Sequence, residues 1–224
     1  MGSGYQVGSE DISCGTTLIG MEYDGGVVVG TDSRTSSGNF IYSRITNKIT
    51  AINDHLCVLR SGNAADTEAV TDIVKYYLEA YSYFEEEAIG VQRAANIFRN
   101  FFYKYRDMLQ GSVIVAGYDE NDGGQLYTIP LGGFISRQRC TGSGSGSTFI
   151  HSLLDSNWKP GMKEEDCIEL IKQATALAIH RDGSSGGVIR LAIIDKNGTR
   201  KIVSFSLILD FYISLSKFFC VFDF

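Results

Sequence analysis

The residues best placed to do chemistry in this sequence lie at Ser13-Cys14-Gly15-Thr16-Thr17-Leu18, where small residues run into an apolar, β-branched stretch. A threonine hydroxyl is a poor nucleophile near neutral pH and needs a base within hydrogen-bond reach. Cutting the Gly15–Thr16 peptide would give Thr16 its own base. The new α-amino group has an ordinary pKa of roughly 7.7–8.0, close to the pH that favours general-base catalysis. No histidine is then required, and His55, His151 and His180 show no triad pattern. Such a nucleophile still needs a positive charge beside it, and Lys48 is the candidate, oriented by Asp32 of "GTDSR". Two plainer readings stand next to this one. Gly-Thr also opens ordinary strands, and an Asp-Lys pair is most often a solvated ion pair.

Composition narrows the classes. The chain has 224 residues, a formal net charge of −6 and 44% hydrophobic residues. That suits a single sizeable core, expected in a soluble protein of the cytoplasm or nucleus. A net negative chain without a Lys/Arg cluster does not offer a face for nucleic acid. Five cysteines, Cys14, Cys57, Cys140, Cys167 and Cys220, are scattered without metal-ligand spacing, so no metal or disulfide framework is expected. The first residues lack a basic and then apolar secretory pattern.

The elements that must position Thr16, Asp32 and Lys48 are legible as periodicities. Residues 17–23 and 27–31 form a hairpin across Asp24-Gly25-Gly26. Residues 40–45 and 48–52 suggest a second strand pair, followed by a strand at 56–59, and Lys48 would begin a strand beside the one headed by Thr16. Val70, Ile73, Val74, Tyr77, Leu78 and Tyr81 then recur at helical spacing, opened by Ser61-Gly62-Asn63 as a cap. A second helix carries the apolar stripe from Val91 to Met108. Strands are expected at 113–118, 125–129 and 133–139, then helices at 149–158 and 163–180, then strands at 188–195 and from 199. Short hairpins in place of crossover units predict stacked, largely antiparallel sheets covered by helices.

Four separate motifs, "GTTLIGMEYDGGVVVGTDSRTSSGNFIYSRITNKIT", "RSGNAADTEAV", "GSGST" and "RDGSSGGVIRLAIID", together resemble the catalytic β subunits of the eukaryotic core proteasome from about Gly15 to about Val203. The resemblance implies an α+β fold, the four-layer αββα sandwich of the N-terminal nucleophile hydrolases. It implies a propeptide over residues 1–15 removed by autocatalysis, with Gly15 before the cut, a hydrolase domain over 16–203 and an atypical tail over 204–224.

Position by position, Thr16 matches the family's nucleophile, and Asp32 and Lys48 the acid and amine that assist it. Gly62 matches the residue whose backbone N–H faces the oxyanion. Ser145, Asp182 and Ser185 match the hydrogen-bonding group that supports the threonine amine. Thr35 and Thr46 match residues lining the substrate channel, where an extended peptide adds as a strand. Arg60, before "SG", resembles the caspase-like type, whose pocket accepts an acidic side chain; a guanidinium fork suits a carboxylate. A phosphate-loop reading of residues 141–148 lacks its lysine. The resemblance implies no metal and no organic cofactor, with the α and β subunits of the particle as partners and unfolded polypeptides as substrates.

The sequence departs from the family's pattern at Thr31, where Ala is common, and at Asn47, where Asp is common. The larger departure is the ending "SFSLILDFYISLSKFFCVFDF", whose alternating apolar residues from Phe205 to Leu215 read as a strand and whose Asp210 and Lys217 argue against a membrane span. This ending is expected to be either an arm packed on a neighbouring subunit or a splicing or gene-model error. Two other functions remain open on the residues: a non-catalytic β subunit that fills a ring position, and a different N-terminal nucleophile amidohydrolase acting on a small amide.

Overall fold

The computed structural model describes residues 15–38, 40–85 and 89–204. Most of the expected leader, Cys14, Cys220 and the alternating pattern from Phe205 lie outside the described residues.

Twelve strands build two five-stranded sheets and a short ribbon. The first sheet has the order β10-β1-β2-β11-β12, from β10 (Cys140–Ser143), β1 (Leu18–Tyr23), β2 (Gly26–Thr31), β11 (Ile189–Asp195) and β12 (Gly198–Ser204). The second has the order β5-β6-β7-β8-β9, from β5 (Ile49–Asn53), β6 (Leu56–Gly62), β7 (Gly111–Asp119), β8 (Gly123–Ile129) and β9 (Ser136–Arg137). Strands β3 (Thr35–Ser37) and β4 (Phe40–Ser43) pair only with each other, and every pairing is antiparallel.

The layers follow from which face each apolar residue takes. Leu18, Val27, Val29, Leu59, Ile114 and Leu126 point between the sheets and form the central core. Alternate residues on the same strands face outward, because successive strand side chains point to opposite faces. On the first sheet Ile19, Met21 and Val28 meet Leu154 of α3 (His151–Asn157) and Ile171 and Ala174 of α4 (Glu164–Arg181). On the second, Val58, Val113 and Val115 meet Val74 of α1 (Ala64–Glu85) and Phe98 of α2 (Val91–Lys104). The result is helix, sheet, sheet, helix. Phe98 is fully buried, and truncating such a ring to alanine typically costs about 3–5 kcal/mol.

Local signals fix the helix ends. The Asn63 Oδ1 accepts from the Ala65 and Asp66 N–H groups at 3.0 and 3.4 Å, so the expected cap at the start of α1 is present. Helix α4 opens with Glu164, Glu165 and Asp166 and closes with His180 and Arg181, charges that complement its dipole.

Four local expectations are corrected. Residues 40–43 pair with β3, not with residues 48–52, because β5 is taken by β6. Lys48 therefore enters from the sheet facing Thr16, not from a neighbouring strand. Helix α2 ends at Lys104, and Met108 is 73% exposed beyond a turn in which the Met108 N–H bonds the Tyr105 carbonyl. The strand expected at 133–139 shrinks to β9, and the glycine-serine run instead begins with β10, which pairs with β1. A run of small residues carries no apolar periodicity, so its strand is set by its partner.

Candidate functional site

The site forms at one end of the sandwich, where β1 begins, β2 ends, β5 begins and β6 ends. Thr16 stands just before β1 and Asp32 just after β2, side by side because the two strands are paired with Leu18 opposite Thr31. Lys48 reaches across from the head of β5. Its Nζ donates to Asp32 Oδ1 at 2.7 Å, Thr16 Oγ1 at 2.9 Å and the Gly15 carbonyl at 3.1 Å. Thr16 Oγ1 itself lies 2.7 Å from that carbonyl and donates to it. Asp32 is fully buried and Lys48 is 7% exposed, so this is a buried pair and not a solvated one. Removing one partner of such a pair strands the other charge, a loss of about 3–5 kcal/mol.

Asp32 is held from several segments at once. Its Oδ1 also accepts from the Thr17 N–H at 3.0 Å, and its Oδ2 from the N–H groups of Gly186 and Arg34 at 3.1 and 3.2 Å. Four donors on one carboxylate fix the lysine in turn.

On the other side of Thr16 lies the second group. The Thr16 N–H donates to Ser145 Oγ at 3.1 Å, and Ser145 Oγ donates to Asp182 Oδ2 at 2.7 Å. Ser185 Oγ gives its proton to the same Asp182 oxygen at 2.6 Å, so the contact between Thr17 Oγ1 and Ser185 Oγ at 2.8 Å has the threonine as donor. The serine lies on the 3-10 turn Ser145–Phe149, entered through Gly144 at φ +85°. A Cβ on Gly144 would run into the Thr16 carbonyl, which explains a glycine there.

A cavity of about 170 Å³ opens beside Thr16. Gly15, Thr16, Thr35, Thr46, Lys48, Arg60 and Gly62 all line it, and Thr35 Oγ1 donates to Thr46 Oγ1 at 2.9 Å. Thus the residues expected at the site are brought together: Thr16, Asp32 and Lys48 in one bonded cluster, Ser145, Asp182 and Ser185 in the adjoining one, and the rest on the cavity wall. Ser61, Ser112 and Ser143 escaped sequence reasoning. Ser61 Oγ meets Ser112 Oγ at 2.7 Å, and Ser112 Oγ meets Ser143 Oγ at 3.1 Å. This hydroxyl chain ties β6, which ends at Gly62, to β10, which leads to Ser145. Ser61 is marked in the sequence only as part of the α1 cap and of a quoted motif, and nothing in the sequence links it to Ser112 and Ser143.

Arg34, Glu68 and Thr17 also escaped notice. Arg34 lines the cavity and donates through Nη1 to the Gly183 carbonyl at 3.0 Å, and Glu68 faces Arg60. The three described cysteines, Cys57, Cys140 and Cys167, are not primed as nucleophiles. Burial pushes Cys140 up to about 12 and Cys167 up to about 11, and Cys57 shifts upward too, so all three stay thiols at neutral pH. Among the described residues no group of three His, Cys, Asp or Glu side chains is arranged to hold a metal ion. Nor is any helix among them long and apolar enough to cross a membrane.

Two antiparallel sheets sandwiched between helices, with a threonine heading a central strand against a lysine from the facing sheet, define the architecture of the N-terminal nucleophile hydrolases. The family model described as proteasome subunit matches residues 12–194. Proteasome subunit beta type-6 of Dictyostelium discoideum is 47% identical over 190 residues, covering 85% of this chain and 89% of that protein. The probable proteasome subunit beta type-1 of Schizosaccharomyces pombe is 43% identical, covering 85% and 84%. Proteasome subunit beta type-9 of Homo sapiens is 45% identical, covering 84% and 85%. The chain belongs to the proteasome subunit family, among its beta subunits.

Proposed function

We propose that this chain is a threonine-type endopeptidase subunit of the proteasome core particle, with a preference for cutting after acidic residues in unfolded polypeptides during ubiquitin-dependent degradation. The observation that carries the reading is the Lys48 ammonium, shared between Thr16 Oγ1 and the buried Asp32 carboxylate.

The first reaction is on the chain itself. Thr16 Oγ1 attacks the Gly15 carbonyl carbon while Lys48, already bonded to that oxygen, stabilises the developing negative charge. The hydroxyl proton passes to the departing nitrogen as collapse breaks the C–N bond, leaving an ester on Oγ1 and a free Thr16 amine. Water hydrolyses the ester, releasing residues 1–15 with a carboxylate at Gly15. A Cβ at position 15 would collide with Ser184, so only glycine passes the junction without displacing it.

In the mature chain the amine takes the proton from Thr16 Oγ1 as the hydroxyl attacks a substrate carbonyl. Ser145, anchored by Asp182 with Ser185, keeps the amine oriented. Gly62, at φ +91°, offers its backbone N–H to the oxyanion without a side chain in the way. The amine returns the proton to the leaving group, and the acyl ester is then hydrolysed by water that the amine activates. Thr35 and Thr46 flank the extended substrate, and Arg60 receives the acidic side chain. The reading needs no metal or organic cofactor. It places the chain with other α and β subunits in the particles of cytoplasm and nucleus.

The test is the amino-terminal sequence and mass of the subunit in native particles, joined to cleavage of a reporter with glutamate before the cut bond. The expected result is a mature terminus at Thr16 and cleavage that disappears in Thr16→Ala. An intact leader in assembled particles, with no cleavage, would replace this reading by that of a non-catalytic ring member.

A further inference from the structure

Four charged side chains line the cavity beside Thr16: Arg34, Lys48, Arg60 and Glu68. Three are cations, and Glu68 is the single carboxylate among them. Lys48 is bonded to Asp32, and Arg34 to the Gly183 carbonyl. Arg60 is different. Its side chain is 14% exposed, its buried Nε, like that of Arg34, has no hydrogen-bond partner among the described residues, and in place of a bonded carbonyl it faces only Glu68, with Nη1 3.8 Å from Oε2. That distance is an ion pair without a hydrogen bond. A buried guanidinium N–H without an acceptor is unfavourable, and an entering carboxylate supplies the acceptor.

Glu68 projects from the second turn of α1, and its side chain is 64% exposed. It therefore contributes charge at the mouth of the cavity while its carboxylate is free to swing into water. Its field offsets that of Arg60 in the empty pocket, and it repels a second carboxylate arriving at the same guanidinium.

We propose that Glu68 is a specificity-determining residue: a built-in counter-ion to Arg60 that competes with the acidic side chain of the substrate and holds the preference for acidic residues down. The inference rests on the reading of this cavity as the substrate pocket of a threonine peptidase. Its consequence is a pocket that takes glutamate through Arg60 and still accepts uncharged side chains of the same shape.

The experiment compares kcat/KM on two peptide reporters that differ only in glutamate or glutamine before the cut bond, using purified core particles and subtracting the rate of Thr16→Ala particles. In Glu68→Gln the glutamate-to-glutamine ratio rises by roughly two- to fivefold, the size of one exposed ion-pair interaction, and the gain appears in KM. The difference narrows at high salt, which screens exposed charges. Glu68→Asp, which keeps the charge, stays near the wild-type ratio. Arg60→Leu lowers the ratio, and adding Glu68→Gln to it raises the ratio by less than it does with Arg60 present, since the ion-pair part of the effect is lost with the guanidinium.

An unchanged or lower ratio in Glu68→Gln overturns the proposal. If glutamate is cleaved and Arg60→Leu lowers the ratio while Glu68→Gln does not raise it, the peptidase reading stands and the counter-ion falls alone. Wild-type particles that cleave neither reporter above the Thr16→Ala rate overturn the pocket reading and the proposal with it.

Discussion

The two ends of the sandwich are built from similar side chains and differ in what those side chains are bonded to. At the Thr16 end a cavity of about 170 Å³ is lined by a lysine, two arginines and a glutamate. At the far end, where β5 turns into β6 and β7 into β8, a larger cavity of about 600 Å³ is lined by His55, Asp54, Asp119, Glu120 and Lys196 among others. The larger cavity has the histidine and more carboxylates, yet its polar groups bond mostly to backbone groups, several of them at the exposed surface. Asp119 accepts from the N–H groups of Val91 and Asp122 and from the Gln125 amide. His55 N–H bonds Asn53, and its ring meets the Lys196 carbonyl.

At the Thr16 end the bonds join residues that only the fold brings together: Thr16 with Ser145, Lys48 with Asp32, Asp32 with Gly186. The lesson is that volume and residue type do not identify a reactive site. Convergence of buried, long-range polar bonds on one hydroxyl is what singles out the candidate site.

Substitutions can break that comparison, and the largest effect is expected from Thr16→Ala. It removes the nucleophile, so the leader stays attached and peptide cleavage drops to background, read by mass and by reporter hydrolysis. Asp182→Asn comes next. It removes the negative charge and leaves one amide oxygen for three donors, the Ser145 and Ser185 hydroxyls and the Ser184 N–H, and kcat falls on the order of 10²-fold with KM little changed, the lower end for a positioned proton-transfer group. A loss confined to KM would show that this cluster serves binding instead.

Ser112→Ala cuts the hydroxyl chain between β6 and β10. It is expected to reduce stability by about 1–2 kcal/mol in denaturant midpoints and to lower kcat a few-fold, because one central hydroxyl serves two bonds. An unchanged kcat would confine these serines to holding the sheets together. Thr31→Val has the opposite sign. The Thr31 hydroxyl is fully buried without a partner among the described residues, on the face shared with Val27 and Val29, so the substitution should stabilise by about 1 kcal/mol, a rise in Tm of roughly 2–4 °C. At the far end, His55→Ala should leave reporter cleavage at the wild-type rate, and a large fall there would erase the distinction between the two cavities.

Much of the fold was legible before any coordinates. The hairpin of β1 and β2, both long helices of the second layer and the closing strands follow from period and turn chemistry, since apolar residues at strand or helix spacing have one way to be buried. The errors fall where the local signal is weak or borrowed. Residues 40–43 have a strand-like composition, but which strand they join depends on which partner is free, and β6 takes β5. The glycine-serine run hides β10 because small side chains carry no pattern.

The candidate site was legible for a different reason. Thr16, Lys48 and Asp32 were named from the chemistry a threonine nucleophile needs, with spacing alone leaving the Asp32–Lys48 pair open between a site and an ordinary ion pair, and Gly62, Ser145, Asp182 and Ser185 were named by resemblance to a family. Arg34, Ser61 and Glu68 lie inside the quoted motifs without a role drawn from them, Ser112 and Ser143 lie outside, and contacts between distant segments reveal what they do.

The sequence by itself determined where strands and helices form, which face of each is apolar, and that a threonine follows a glycine at the head of the first strand. These are properties of neighbouring residues, set by backbone sterics and burial. Only the tertiary structure decided that Lys48 arrives from the opposite sheet, that Asp32 is buried against it and that Ser145 closes on the Thr16 N–H. Lys48 meets Asp32 because the two sheets pack face to face and exclude the water that would otherwise separate their charges, whereas Ser145 meets Thr16 because β10 pairs with β1 within one sheet.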